Sequence, residues 1–440
     1  MSQGSRTRQV VRWGLSHGLP GIVLRRSAAR GDLHGRLVMT ATAGDPAQVR
    51  RVVEDLRAAG PLVRSGLAFV STDHAVCRAV LSSPDFRTGA PDLRSALSGP
   101  SRWSASPWVN PLQPPSLLVS EPPDHTRYRR LVTGVFTHRA VTALRERTEQ
   151  IAADLLDRLP TDGRPVDLVE AYCARLPLTV ICEILGVPEE DRELVRRLGS
   201  TAAASLDLGL SWREYRVVDG ALRDFDAWLT GHLERVRREP SETLLSRLVQ
   251  AGEEGVGLTD LELRSTAGLV LVAGFETTVN LLGNALVLLA GNADALARLR
   301  AQPTLWANAA DEALRLDPPV LLTGRFAVRD TTVAGCRVPR GAPVLTVLAG
   351  ANRDPAVFAD PARFDVARAN ARDHLAFSAG RHHCLGAQLA RMEGEVGLRM
   401  LFERYPDVRL LPGARRRPTR VLRGYAALPA ALTAPVSPAA

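Results

Sequence analysis

The sequence contains no lysine, so its formal net charge of +9 is carried by arginine alone. These arginines are spread along the chain and form no compact basic run interleaved with aromatics. That excludes the usual footprint of a nucleic-acid binder and points to an acidic protein partner. Cysteine is scarce: Cys77, Cys173, Cys182, Cys336 and Cys384 are odd in number and never spaced C-x2-C. The pattern excludes a disulfide framework and a zinc knuckle, and it fits a reducing, cytoplasmic compartment. The short apolar patch over 10–24 is interrupted by Arg12 and His17 and lacks a small-residue cleavage site, so no signal peptide is read there. The single long apolar stretch, 269–290, carries Glu276, Thr277, Thr278, Asn280 and Asn284, which would be costly in lipid. It is predicted to be a buried core helix, and no membrane anchor is expected.

Linkers and repeats are also missing, which argues against several domains or a solenoid. What remains, 45% hydrophobic and 23% charged residues, is the balance of a globular protein. Helical periodicity and caps predict helices near 46–59, 73–83, 123–134, 138–159, 166–185, 188–205, 212–237, 259–291, 293–301, 304–316 and 385–404. Strands are few: 63–70, 324–328 and 343–347. The fold class is mainly α with a small β portion. One domain is expected over 41–433, between a loose, basic N-terminal tail at 1–40 and a mobile C-terminal tail at 434–440. A Ser-, Pro- and Trp-rich segment at 89–121 is long for a loop in a compact domain and is expected to face a substrate.

Three constellations carry chemistry. In the first, two glycines, Gly380 and Gly386, bracket Cys384 within Phe377-Ser-Ala-Gly-Arg-His-His-Cys-Leu-Gly, and a helix follows. The glycines allow a tight path and close approach of a flat ligand, while the positive helix end is expected to lower the thiol pKa. An ordinary buried cysteine with His382 and His383 on a loop is the default for an arbitrary sequence. A zinc site is disfavoured because adjacent residues cannot easily all face one small ion. In the second, Ala273, Glu276, Thr277, Asn280 and Asn284 share one face of an otherwise apolar helix, the mark of a polar-lined cavity. Within it Gly274 would let a ligand approach the backbone. The third, Glu312 and Arg315 at i, i+3, is weak alone, since such pairs contribute roughly 0.2–0.5 kcal/mol when solvated.

Phe377, Gly380, His382, Cys384 and Gly386 together resemble the haem-binding signature F-x-x-G-x-[HR]-x-C-x-G of the cytochrome P-450 superfamily, with Ser378 where the family often has glycine. Residues 273–278 resemble its oxygen-activation motif A-G-x-[DE]-T-T. Glu312 and Arg315 are similar to its E-x-x-R pair, and Arg363 matches the arginine that joins them in a buried network. His125, Arg129 and Arg325 resemble positions that, with His382, pair with the haem propionates.

The resemblance runs over 45–432 and implies a single triangular haem domain of the soluble bacterial type. It implies haem b (iron protoporphyrin IX) held by the Cys384 thiolate as metal ligand, and NAD(P)H electrons arriving through an acidic ferredoxin and its reductase. Dioxygen would oxidise a small, largely apolar substrate, in the manner of a natural-product hydroxylase or epoxidase, with protons passed through Glu276 and Thr277. Arg381 and Arg391 are expected to help dock the ferredoxin. The substrate walls are expected from 89–121, 175–235, 320–323 and 424–428. A haem-thiolate ligand-binding or carrier protein without turnover is the alternative.

Overall fold

The computed structural model describes residues 3–42, 45–89, 103, 104, 106, 108–160, 162, 164–253 and 257–432. Helices dominate it. In chain order they are α1 (Gln3–Trp13), α2 (Leu19–Ala29), α3 (Leu33–Thr42), α4 (Pro46–Ala58), α5 (His74–Ser82), α6 (Asp124–Thr133), α7 (His138–Ala143), α8 (Arg145–Asp157) and α9 (Arg175–Leu185). There follow α10 (Glu189–Ala203), α11 (Trp212–Arg238), α12 (Leu244–Glu253), α13 (Asp260–Ala290), α14 (Ala293–Ala301), α15 (Trp306–Leu316), α16 (Leu348–Ala351) and α17 (Ala387–Arg404).

The axis of the fold is α13, whose start is fixed by a capping box in which Thr259 and Glu262 satisfy each other's backbone N–H. It is apolar almost all round and therefore has to be buried. Phe275, Leu282, Leu286 and Leu289 are closed off by α9, α15 and α17 in one continuous core. Among the described residues it is the one helix long and apolar enough to cross a membrane, and most of it lies inside the protein. A second capping box, Ser211 with Glu214, starts α11, and Gly186 in the left-handed region (φ 72°) ends α9.

The β portion is small. β1 (Val63–Arg64), β2 (Phe69–Ser71), β3 (Phe86–Arg87), β5 (Thr323–Ala327) and β8 (Pro343–Thr346) form one sheet in the order β1-β2-β8-β5-β3, with β2 and β8 parallel and the other pairs antiparallel, while β4 (Val166–Asp167), β6 (Thr331–Val333) and β7 (Cys336–Val338) pair outside it. The β5–β8 register sets Arg325 opposite Val344 and so fixes where the arginine stands. The expected strand at 63–70 is instead a hairpin, β1 and β2, closed where Ser65 N–H donates to Ala68 O. The expected helix at 166–185 opens with a two-residue strand, Val166–Asp167, before α9. α12 was not foreseen.

The expectation of a loose basic tail at 1–40 is corrected. α1, α2 and α3 occupy that stretch, and Leu24, Leu37 and Val38 are buried. The arginines alternate with apolar residues at helical spacing, so the segment has a face to bury despite its charge. The C-terminal tail at 434–440 lies outside the described residues.

Candidate active site

A cavity of about 1060 Å³ lies between α13, the 377–386 loop, β5 and the N-terminal helices. The loop's shape follows from its residues. Gly380 has φ 68°, and a Cβ there would stand 2.7 Å from Leu81 O on α5, so only glycine fits. Cys384 N–H donates to Phe377 O at 2.9 Å and closes the loop. Ser378, where the family often carries glycine, also takes the left-handed region (φ 61°). That conformation is strained for a non-glycine residue, and its hydroxyl receives Arg325 Nη2 at 3.4 Å.

The Cys384 sulfur opens to the cavity and is enclosed by protein elsewhere. The expectation of a lowered thiol pKa is corrected: burial raises it, against the Gly386 N–H, Arg129 and Arg391. α17 begins three residues on, at Ala387, and the effect of a helix end falls off within its first turn. A coordinated cation would reverse the balance, since a coordinating thiol is deprotonated outright.

On α13, Ala273 and Thr277 face the cavity, and Thr277 Oγ donates to Ala273 O at 2.9 Å. Glu276 is 2% exposed. It accepts Ser200 Oγ at 2.7 Å and pairs with Arg417. Burial raises its pKa, and Arg417, Ser200 and Arg196 offset this only in part. Gly274 lines the cavity and has a second role as well: the position of its absent Cβ lies 2.8 Å from Ile181 on α9, so it also serves helix packing. The polar stripe also divides. Asn284 Nδ2 donates to Asp317 O and Arg423 O, away from the cavity, and Asn280 packs against Gly424.

Around the loop stands a group of poorly satisfied cations and donors. His125 and His382 have ring centroids 4.3 Å apart, and both Nε2 atoms are buried without a hydrogen-bond partner. The His382 Nε2 lies 3.4 Å from Glu121, too poorly aligned for a hydrogen bond. Burial, with His382 and Arg129 adding to it, lowers the His125 pKa to about 4. Arg325 is buried, and its hydrogen bonds go to Thr323, Gly324 O and Ser378 rather than to a carboxylate. Desolvation lowers it to about 10. Two propionate carboxylates are the partners such a set lacks, and a soft sulfur at the cavity surface is a ligand for iron. The residues fit a haem, for which Cys384 would be the ligand and His125, Arg129, Arg325 and His382 the propionate partners.

The buried ionic cluster differs from expectation in one member. Arg315 clamps Glu312 through Nε and Nη2 at 2.7 and 2.8 Å, and Asp365 N–H adds 3.0 Å. The third side chain is Arg368, whose Nε lies 3.1 and 3.2 Å from the two Glu312 oxygens. Arg363 is exposed and gives only its carbonyl oxygen, to Arg315 and Arg368. The segment turns at Asp360 (φ 44°), which brings the later arginine inward. One-dimensional spacing could not choose between the two arginines.

Arg381 and Arg391 are not free cations either. Arg381 pairs with Glu121 at 3.1 Å, while Arg391 binds Asp311 at 2.7 Å and covers the Phe377 ring. Asp311 also receives His374 and Arg372, so it braces α17 and the Cys384 loop from α15. Burial raises its carboxyl, but these hydrogen bonds prevail and hold it at about 2. Asp311, Glu121, Ser200 and Arg417 were missed because nothing in their local sequence marks them. The cavity walls match expectation at 320–323 and within the described part of 89–121. Arg420 and Leu422 stand where 424–428 was expected, and α2 and α3 contribute unforeseen residues.

Known proteins show the same organisation. The Cytochrome P450 family model matches residues 304–422. The "Putative cytochrome P450 140" of Mycobacterium tuberculosis is 50% identical over 430 residues, covering 96% of this chain and 97% of its own length. The 6-deoxyerythronolide B hydroxylase of Saccharopolyspora erythraea is 42% identical over 293 residues, 66% of this chain and 71% of that one. The solved structure of the tirandamycin C-bound P450 monooxygenase TamI is 35% identical, with a TM-score of 0.78 over 89% of this chain and 98% of that one.

Proposed function

The chain belongs to the cytochrome P450 family, and from that premise we propose that it oxidises a small, largely apolar natural product in the cavity beside Cys384, with electrons from a ferredoxin and its reductase. It is a monooxygenase whose cofactor is haem, served by NAD(P)H through redox partners. The observation that carries the finer reading is the joint arrangement of the cavity-facing sulfur, the orphaned donors around it and the Glu276–Thr277 pair on the facing helix.

Haem, when bound through Cys384, supplies the reductive activation of dioxygen. The chain's own residues do the rest. His125, Arg129, Arg325 and His382 hold the propionates. Thr277 Oγ, resting on Ala273 O, presents a hydroxyl to the cavity. Glu276 is held between Ser200 and Arg417; the arginine, a permanent cation, fixes the acid in place, while the Ser200 hydroxyl, which both donates and accepts, is the link through which a proton can be replenished. A carrier without turnover would have no use for such a link. The apolar walls suit a lipophilic substrate, and relatives named for a macrolide precursor or bound to tirandamycin C support a natural product. The net charge of +9 suits an acidic ferredoxin, and the five unpaired cysteines suit the cytoplasm.

The test is Thr277→Ala. Haem binding and substrate affinity are expected to stay as they are, while the product formed per NAD(P)H falls several-fold and hydrogen peroxide rises. An unchanged ratio would remove Thr277 from proton delivery and leave it as cavity lining, whereas no product with any redox partner would favour the carrier reading.

A further inference from the structure

The cavity wall contributed by the N-terminal helices contains a polar group that the haem does not account for. Of the cavity-lining side chains with a buried nitrogen lacking a partner, His125 and His382 belong to the propionate set, and Arg420 is anchored through Nη1 on Leu208 O. His34 remains. It is 7% exposed, the residue lines the cavity, and its Nδ1, itself closed off, has no hydrogen-bond partner among the described residues.

Its position is fixed by several contacts. Asp32, just before α3, accepts Gly35 N–H at 2.9 Å and Ser65 Oγ at 2.8 Å, which ties the start of α3 to the β1–β2 turn. Gly35 packs α3 hard on α2, since a Cβ would lie 2.6 Å from Ala28 N. α1 is fastened to α11 by Arg12 and Gln9, both on Asp219, and by Trp13 Nε1 on Leu210 O. A histidine carried on a helix held this firmly, with hydrogen-bonding capacity unused in an otherwise apolar wall, is a preorganised recognition group.

We propose that His34 hydrogen-bonds a hydroxyl or carbonyl oxygen of the substrate, so that this enzyme selects an oxygenated lipophile over a plain hydrocarbon or a carboxylic acid. The inference rests on reading the cavity as the substrate site. Burial lowers the His34 pKa, with Asp32 opposing, so the ring is neutral and offers one donor and one acceptor. A neutral ring matches a hydroxyl or ketone and gives a carboxylate no counter-charge.

The experiment titrates the haem-loaded full chain with 1-dodecanol, 2-dodecanone, dodecanoate and dodecane, reading the Soret shift and, for silent ligands, competition. Dodecanol and dodecanone are expected to bind about tenfold more tightly than dodecane or dodecanoate, the effect of one satisfied buried hydrogen bond. His34→Leu should abolish that preference and leave dodecane affinity as it was, while His34→Asn should keep part of it. An unchanged carbonyl-complex spectrum certifies intact haem in both variants. Equal binding of dodecanol and dodecane to the wild type, or equal weakening of both in His34→Leu, overturns the role of His34 while leaving the cavity as substrate site. If no ligand in the series shifts or competes, the substrate-site reading falls and this inference with it.

Discussion

The Glu312 cluster and the cavity wall are both buried and both rich in hydrogen-bonding groups, yet they treat those groups in opposite ways. In the cluster, Glu312 and Arg315 are 0% exposed and every charged group has partners: two arginines and a backbone N–H on the carboxylate, and carbonyls of Asn352, Pro361 and Arg363 on Arg315. Around the cavity, His34, His125 and His382 keep buried nitrogens with no bond. A protein interior tolerates few unsatisfied donors, since each costs about 1–3 kcal/mol. The saturated cluster is therefore built for stability, and the unsaturated wall for a partner yet to bind.

The largest expected effect is at the boundary of the two regions. Cys384→Ser replaces an anionic sulfur donor by a neutral hydroxyl, and turnover together with the red-shifted Soret band of the carbonyl complex is expected to be lost. Retention of that band would show that another side chain ligates the iron. Next comes the cluster itself. Glu312→Gln leaves two buried arginines short of their counter-charge and is expected to cost about 3–5 kcal/mol in urea unfolding. Arg363→Ala, with only an exposed side chain removed, should stay within about 0.5 kcal/mol, and Arg368→Ala should fall between the two. A larger loss at Arg363 than at Arg368 would reverse the assignment of the third member.

In the unsaturated wall the order of effects should invert, with little loss in the haem-free protein and a clear loss of haem retention. Arg325→Ala is expected to weaken haem binding by about 1–3 kcal/mol, read as faster transfer of haem to an apoprotein acceptor. Equal transfer rates in variant and wild type would place Arg325 outside the propionate set. The smallest effect concerns pH. His125 titrates near 4 in the folded chain against 6.5 for a free histidine, so the unfolded state takes up the proton first. The stability of the haem-free protein should thus fall as pH drops from about 6.5 toward about 4, and His125→Phe should flatten that slope. An identical pH profile in the variant would mean that His125 is solvated in the folded state.

Much of the site was legible because its chemistry is local. Cys384 with its bracketing glycines, and Ala273 with Glu276 and Thr277 on one helical face, are arrangements that neighbouring residues specify by themselves. The misreadings involve contacts between distant segments. Arg363 was matched to the third member and Arg368 was missed, because spacing says nothing of the turn at Asp360. The packing role of Gly274 was missed because Ile181, about ninety residues earlier, is not its neighbour in sequence. The intramolecular partners of Arg381 and Arg391 were missed because Glu121 and Asp311 lie far along the chain.

The sequence by itself determined the mainly helical class, the buried central helix, the glycine-bracketed cysteine loop and the placing of Glu276 beside Thr277 on one helix, since periodicity, caps and short motifs act within a few turns of chain. Only the tertiary structure decided that 3–42 is folded onto the body, that Arg368 completes the cluster, that Ser200 and Arg417 hold Glu276, and that His34 faces the cavity. The physical reason is that burial and charge pairing depend on what packs against a residue, and those neighbours are brought together by the long-range closure of the core rather than by proximity along the chain.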